Sequence, residues 1–301
     1  MEYQERMNSV NNVVRETRRY ANRLQPQDII SIGCMAILLP IGYLIQVFFI
    51  LSFWYETFSD SWYLRVVPLT YMGLNIYFNL WMLIRVGSNG NSAPLPTVMK
   101  PGFRYCHSCQ LNAPPRTYHC PVCDKCIFRR DHHCSFAATC VGHFNQRYFV
   151  AGIINLWVVL AICVWYLNWN WSYIFMTLPR FYGLQMWQMM VPHVALFAGY
   201  LTVGQFFSVF FFVTSISALL FVTYLVVAQL FCIYRGQTRM EYLMDIFAYK
   251  MGFWENIRQS LGTRWPLIFI SPFIPSPLPS DGLSFKTSFD STDLSKSTKF
   301  L

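Results

Sequence analysis

The sequence predicts an all-α integral membrane fold: four transmembrane helices, with a cysteine-rich domain between spans 2 and 3. Three observations carry this. Of 301 residues, 54% are hydrophobic and 18% aromatic while only 12% are charged, about half the charged share of an ordinary soluble domain. The apolar residues gather into runs long enough to cross ~30 Å of hydrocarbon as helices. Seven of the ten cysteines crowd between Cys106 and Cys140, outside those runs.

Residues 1–28 are polar and basic (Arg15, Arg18, Arg19, Arg23). They read as a cytosolic N-terminal segment, too long for the charged start of a cleaved signal, so the first apolar run is a retained anchor. Residues 29–86 hold spans 1 and 2, with apolar runs from Ile29 to Phe53 and from Val66 to Ile84. Residues 87–148 form the cysteine-rich domain. Residues 149–234 hold spans 3 and 4, with apolar runs from Phe149 to Tyr166 and from Phe206 to Tyr234. Between these two lie "NWNWSYIF", whose tryptophans suit a membrane interface, and a lumenal hydrophobic segment near 179–203. Pro179, Pro192, Gly183 and Gly199 make the latter a re-entrant or surface-lying stretch. Residues 235–270 read as a cytosolic segment with short helices. Residues 271–301 read as a flexible Pro- and Ser/Thr-rich tail. No internal repeat is visible in the residue string.

Charge sets the orientation. Residues 1–28 carry five Lys/Arg, 87–147 carry seven and 235–301 carry eight, whereas 167–205 carry only Arg180. The positive-inside rule therefore puts both termini and the cysteine-rich domain in the cytosol, which requires an even number of spans. The sequon Asn170-Trp171-Ser172 falls on the lumenal side, close to the bilayer. The membrane expected is that of the endomembrane system, ER or Golgi, with the plasma membrane as the alternative. No nucleic-acid partner is expected.

In the cytosol, clustered thiols mean metal or catalysis before disulfides. The spacing is Cys106-x2-Cys109, His119, Cys120-x2-Cys123-x2-Cys126, His133, Cys134, Cys140. Cysteines two residues apart form the knuckles of tetrahedral structural zinc sites. Two such sites need eight ligands. Seven cysteines with one histidine would serve, and so would six cysteines with two histidines and one cysteine left over. If residues 132–134 are extended, His132 and Cys134 share one face and His133 the other. That places an imidazole beside a thiol, with Asp131 near enough to orient the ring, the arrangement that activates a thiolate nucleophile.

The run "RYCHSCQLNAPPRTYHCPVCDKCIFRRDHHCSFAATCVGHFNQRYF", residues 104–149, resembles the cysteine-rich domain of the DHHC family of protein S-acyltransferases (palmitoyltransferases). Two weaker motifs add to the resemblance. "GQTRME", residues 236–241, is similar to the family's Thr-Thr-x-Glu motif, with Thr238 and Glu241 in place and Arg239 where the second Thr belongs. "GFWENIRQSLG", residues 252–262, is similar to its C-terminal motif, with Asn256 at the polar position.

The resemblance implies one structural zinc on Cys106, Cys109, His119 and Cys126, and another on Cys120, Cys123, His133 and Cys140. It further implies Cys134 as nucleophile, His132 as its base and Asp131 as the orienter of that base. The donor implied is a long-chain acyl-CoA, palmitoyl-CoA in the first place, and the acceptors are cysteines of membrane-associated proteins at the face of the lipid bilayer. Arg129, Arg130 and Arg147 are candidates for meeting the CoA phosphates. His107 and His143 are expected not to bind metal. The chain departs from the family directly after the nucleophile. Ser135 and Phe136 replace a Pro-Trp pair, and Ala138 and Thr139 replace two Asn. That departure keeps open a catalytically weak or inactive zinc-binding scaffold or adaptor.

Overall fold

The structure, a computed structural model, describes residues 24–88, 95, 98–167 and 186–287. The sequon and the Trp-rich stretch 168–175 lie outside the described residues. Helix α1 (Pro26–Ile45) starts on a proline in its first turn, where no amide donor is needed. It continues through a π-helical turn, Gln46–Ile50, to a last turn at Leu51–Trp54. Helix α2 (Asp60–Val86) is capped by Ser59, whose hydroxyl accepts from the Trp62 amide at 3.3 Å. This cap lies outside the apolar run, so the helix begins six residues before Val66. Helix α3 (Gln146–Ala161) also continues into a π-helical turn. Helix α6 (Val203–Arg235) starts on a Thr202 capping box. Among the described residues, four helices are thus long and apolar enough to cross a membrane: Pro26–Ile50, Asp60–Val86, Gln146–Val164 and Val203–Arg235. Between the last two, the described part of the 179–203 segment forms α4 (Met186–Met190) and α5 (Pro192–Phe197), each too short to span.

The expectation of an all-α chain needs correction. The cysteine-rich domain folds as three antiparallel two-stranded hairpins: β1 (Arg104–Cys106) with β2 (Leu111–Ala113), β3 (Tyr118–Cys120) with β4 (Lys125–Ile127), and β5 (His132–Cys134) with β6 (Thr139–Val141). The reason is local. Each hairpin turns through four residues, and the last of them, Gln110, Asp124 or Ala138, has φ of 51°, 49° or 44°. A left-handed residue at that point stops a helix from propagating. There is also a repeat, which the residue string hides. The hairpins begin their turns at Cys106, Cys120 and Cys134, each fourteen residues after the last. What recurs is backbone shape and ligand position, with few identical residues between.

Two clusters hold the bundle. At one end Val47, Leu51 and Trp62 bury against Ala195, Leu201 and Val209. At the other, Leu83, Tyr148, Phe149, Ile233, Ile257 and Leu261 surround Cys134 and Ala137. The start of α1, the cysteine-rich domain and the C-terminal segment all gather at this second end. Asp28 reaches His133, Asn145 Nδ2 donates to Leu83 O at 3.0 Å, and Arg116 pairs with Glu241. After α6 come α7 (Arg239–Leu243), α8 (Phe253–Leu261) and a 3-10 turn, Trp265–Phe269. Gly236 ends α6 at φ 67°, and a Cβ there would lie 2.8 Å from Asn256 Oδ1. Only glycine fits that turn.

The segment after 270 does not run free from 271, as composition suggested. Ser276 Oγ donates to Leu261 O at 2.9 Å, Arg147 donates to Ser276 O, and His143 Nε2 meets Ser280 O at 2.9 Å. Partners remote in sequence capture its backbone carbonyls, which composition cannot foresee.

Candidate active site and metal centres

The ligand atoms of Cys106, Cys109, His119 and Cys126 lie within 4.8 Å of one another, and so do those of Cys120, Cys123, His133 and Cys140. Strand register explains both sets. His119 pairs across its hairpin with Cys126, and His133 with Cys140, so each couple points to one face. Each set then combines the knuckle of one hairpin with the His-Cys couple of the next. The first hairpin has Tyr105 opposite Asn112 at the equivalent places and contributes no couple.

These dimensions suit zinc. A tetrahedron with ~2.3 Å Zn–S bonds has S–S edges of about 3.8 Å. Cys123 and Cys140 sulfurs are 3.6 Å apart, and His133 Nδ1 lies 3.3, 3.8 and 4.0 Å from Cys123, Cys140 and Cys120. Cys109 Sγ is 3.2 Å from His119 Nδ1. All ten cysteines are free thiols, with no disulfide. Two further histidines of the cysteine-rich domain, His107 and His143, make contacts outside both sets. His107 packs edge-on against Tyr105. Burial and nearby Arg129 push the His143 imidazole down to about 4, so it is neutral and donates from Nε2 to Ser280 O.

Six of the seven clustered cysteines are now used, and Cys134 is the one left. It stands where Cys106 and Cys120 stand in the earlier hairpins, but Ala137 replaces the second knuckle cysteine and, among the described residues, no fourth hairpin follows to supply a His-Cys couple. With His133 turned to the metal face, His132 and Cys134 share the other face of β5. Asp131 Oδ2 holds His132 Nδ1 at 2.6 Å, which leaves the second ring nitrogen for Cys134 on the same face of β5. His132 also packs edge-on against Phe149, ring centroids 4.9 Å apart.

Electrostatics sharpen the pair. Burial alone would raise Asp131, but hydrogen bonds from His132, Arg239 and Gln229 outweigh it and hold the carboxyl below its ordinary value. Burial works against a charged His132, yet Asp131 and Cys134 pull it the other way more strongly, to about 9. An imidazole that readily keeps its proton is the partner a thiolate needs.

Sequence reasoning missed the supports of Asp131. Gln229 Nε2 donates to its Oδ2 at 2.8 Å from the fourth span, and the Arg239 amide donates to its Oδ1 at 2.8 Å. Behind Gln229, Gln146 Nε2 and then Arg129 continue a buried chain. Gln229 lies 98 residues from Asp131, and its one trace in the sequence is a lone amide in an apolar span. The "GQTRME" motif shows its physics here. Thr238 and Glu241 cap α7 reciprocally, and Glu241 also takes both arms of Arg116 at 2.6 Å in a pair with no side-chain exposure. The Asp131 contact comes from the backbone of Arg239, so the change from Thr leaves it intact. Asn256 serves the same end of the molecule, donating from Nδ2 to Tyr234 O at 3.0 Å.

The arginines suggested for phosphate binding are mostly committed elsewhere. Arg129 is 2% exposed and bonded to Gln146 and Ser260, which turns its guanidinium into the protein interior. Arg147 donates to Ser276 O and Tyr148 Oη. Arg130 donates to His119 O at 3.2 Å and remains part-exposed.

A family model for the DHHC palmitoyltransferase domain matches residues 100–246. "Probable palmitoyltransferase ZDHHC24" of Mus musculus is 31% identical over 228 residues, 75% of this chain and 80% of that protein. The chain belongs to the DHHC palmitoyltransferase family. The Rattus norvegicus protein of the same name is 30% identical over the same shares. "Palmitoyltransferase ZDHHC18" of Mus musculus reaches 51% over 54 residues, 18% of this chain and 14% of that protein. Within this DHHC chain the four letters divide by geometry, His133 to a metal set and Asp131, His132 and Cys134 outside it, with Asp131 bonded to His132.

Proposed function

We propose that this DHHC protein is a membrane-embedded protein S-acyltransferase. It moves a long-chain acyl group, palmitoyl in the first place, from acyl-CoA through an acyl-Cys134 thioester to cysteines of membrane-associated proteins. The observation that carries this is a thiol excluded from both metal sets that shares one face of β5 with a carboxylate-backed imidazole. In the first half-reaction His132 takes the Cys134 proton and the sulfur attacks the acyl carbonyl. The bond from that carbonyl to the CoA sulfur breaks, and the CoA thiolate leaves with the proton from His132. In the second, a substrate cysteine gives its proton to His132 and attacks the acyl-Cys134 carbonyl, and Cys134 leaves and recovers the proton. One thioester replaces another at each step, so positioning and proton transfer are what the protein must supply. Zinc in the two Cys3His sets would supply rigidity alone, because four protein ligands leave no open position.

Cys134 lies where the hairpins meet the spans, among Leu83, Phe149 and Ile233. An acyl chain from such a point can extend into the bilayer, where each CH2 contributes about 0.8 kcal/mol. The start of α1, the cysteine-rich domain and the C-terminal segment share that end and carry most of the basic residues, which supports a cytosolic active face in the endomembrane system. The test is incubation of purified protein with labelled palmitoyl-CoA. A hydroxylamine-labile label that vanishes in Cys134→Ser is expected. Equal label in both proteins would refute the assignment, and no label in either would favour a zinc-binding scaffold.

A further inference from the structure

We propose that Asp28, in the first turn of α1, is a positioning residue for the second metal set. It orients His133 as a ligand and latches the first span to the hairpin that carries Cys134; the proposal rests on reading that set as a zinc site. His133 presents Nδ1 to the sulfurs of Cys120, Cys123 and Cys140 and turns Nε2 to Asp28 Oδ1, 3.3 Å away and 105 residues earlier in the chain. A nitrogen that coordinates metal carries no proton, so the ring proton sits on Nε2 and points at the carboxylate. Asp28 is 2% exposed, and its other oxygen accepts from the Gln25 amide at 3.3 Å. A buried carboxylate needs a donor, and His133 is its one ion-pair partner among the described residues.

A carboxylate behind a metal-bound imidazole fixes the tautomer and ring orientation and makes the ligand more basic. The other metal set gives an internal contrast. Behind His119, the carboxylate of Asp124 is 3.9 Å from Nε2 and its side chain is 69% exposed. One site is therefore braced by the membrane helices and the other by a loose, solvated contact. His133 is one residue from the nucleophile on β5, so bracing it also fixes the strand that aims Cys134.

The test uses the full-length protein in detergent, with zinc content and the rate of zinc release to a chelating dye as readouts. Wild type is expected to hold two zinc ions. In Asp28→Ala one of them leaves about tenfold faster or more while the other is unchanged. Asp28→Asn, which keeps the shape and an acceptor oxygen but not the charge, falls between. Asp124→Ala leaves both rates near wild type. Wild-type release rates for both ions in Asp28→Ala would overturn the proposal. If Asp28→Ala fails to fold, Asp28→Asn decides, and equal acceleration at both sites there would overturn it too. A wild-type protein without zinc would instead defeat the zinc reading itself.

Discussion

Cys120 and Cys134 occupy the same place in consecutive hairpins, yet only Cys120 lies in a metal set. The difference lies in the residues downstream of each. After Cys120 come Cys123 and, one hairpin later, His133 and Cys140; after Cys134 comes Ala137, and no further hairpin follows among the described residues. Residue counting alone left open whether all seven cysteines bind metal, and the register of β5 against β6 is what separates the faces. Asp131 gives the sharpest test at this scale. Asp131→Asn keeps the shape but cannot hold the His132 Nδ1–H as a charged acceptor. Self-acylation of Cys134 should fall by about 10²-fold or more, while zinc content stays at wild type. An Asp131→Asn protein acylating at the wild-type rate would show that His132 works without its carboxylate.

At the scale of elements, α7 matters more than its five residues suggest. Glu241 caps the helix and neutralises Arg116, fully buried and bonded also to Gly236 O at 3.0 Å. Removing one partner of a buried pair strands the other charge, typically at about 3–5 kcal/mol. Glu241→Ala should lower the melting temperature measurably and reduce acylation through loss of fold. Arg239→Thr should leave both unchanged, because Asp131 is held by the backbone amide at that position. A marked loss in Arg239→Thr would mean the guanidinium has a part the geometry does not give it. The four spans were legible because long apolar runs have one outcome in lipid. The hairpins were not, since three-residue strands around turns leave no periodicity to read. The supports of Asp131 from Gln229 and Arg239 were equally invisible, because they join residues about a hundred positions apart.

At the scale of the molecule, the start of α1, the cysteine-rich domain and the C-terminal segment are tied to each other, so they lie on one side of any membrane the bundle crosses. The link 55–59 and helices α4 and α5 lie at the opposite end. Tags at residues 1 and 301 should both be removed by protease added to sealed microsomes, and a tag inserted at Thr57 should survive until detergent is added. Protection of the C-terminal tag would contradict the topology. The basic residues of the sequence lead to the same sidedness as an expectation, which this protection experiment tests. The sequence did not foretell that residues 271–286 pack back onto the domain, because the contacts to His143 and Arg147 run through backbone carbonyls.

The division of labour within Asp131-His132-His133-Cys134 is tested most directly by native mass spectrometry of the protein after brief exposure to palmitoyl-CoA, with Cys134→Ser alongside. One acyl group and two zinc ions per wild-type chain, with the acyl group on the peptide bearing Cys134, and two zinc ions without acyl group in Cys134→Ser, are the expected result. An acyl group on another cysteine, or loss of zinc in Cys134→Ser, would contradict it.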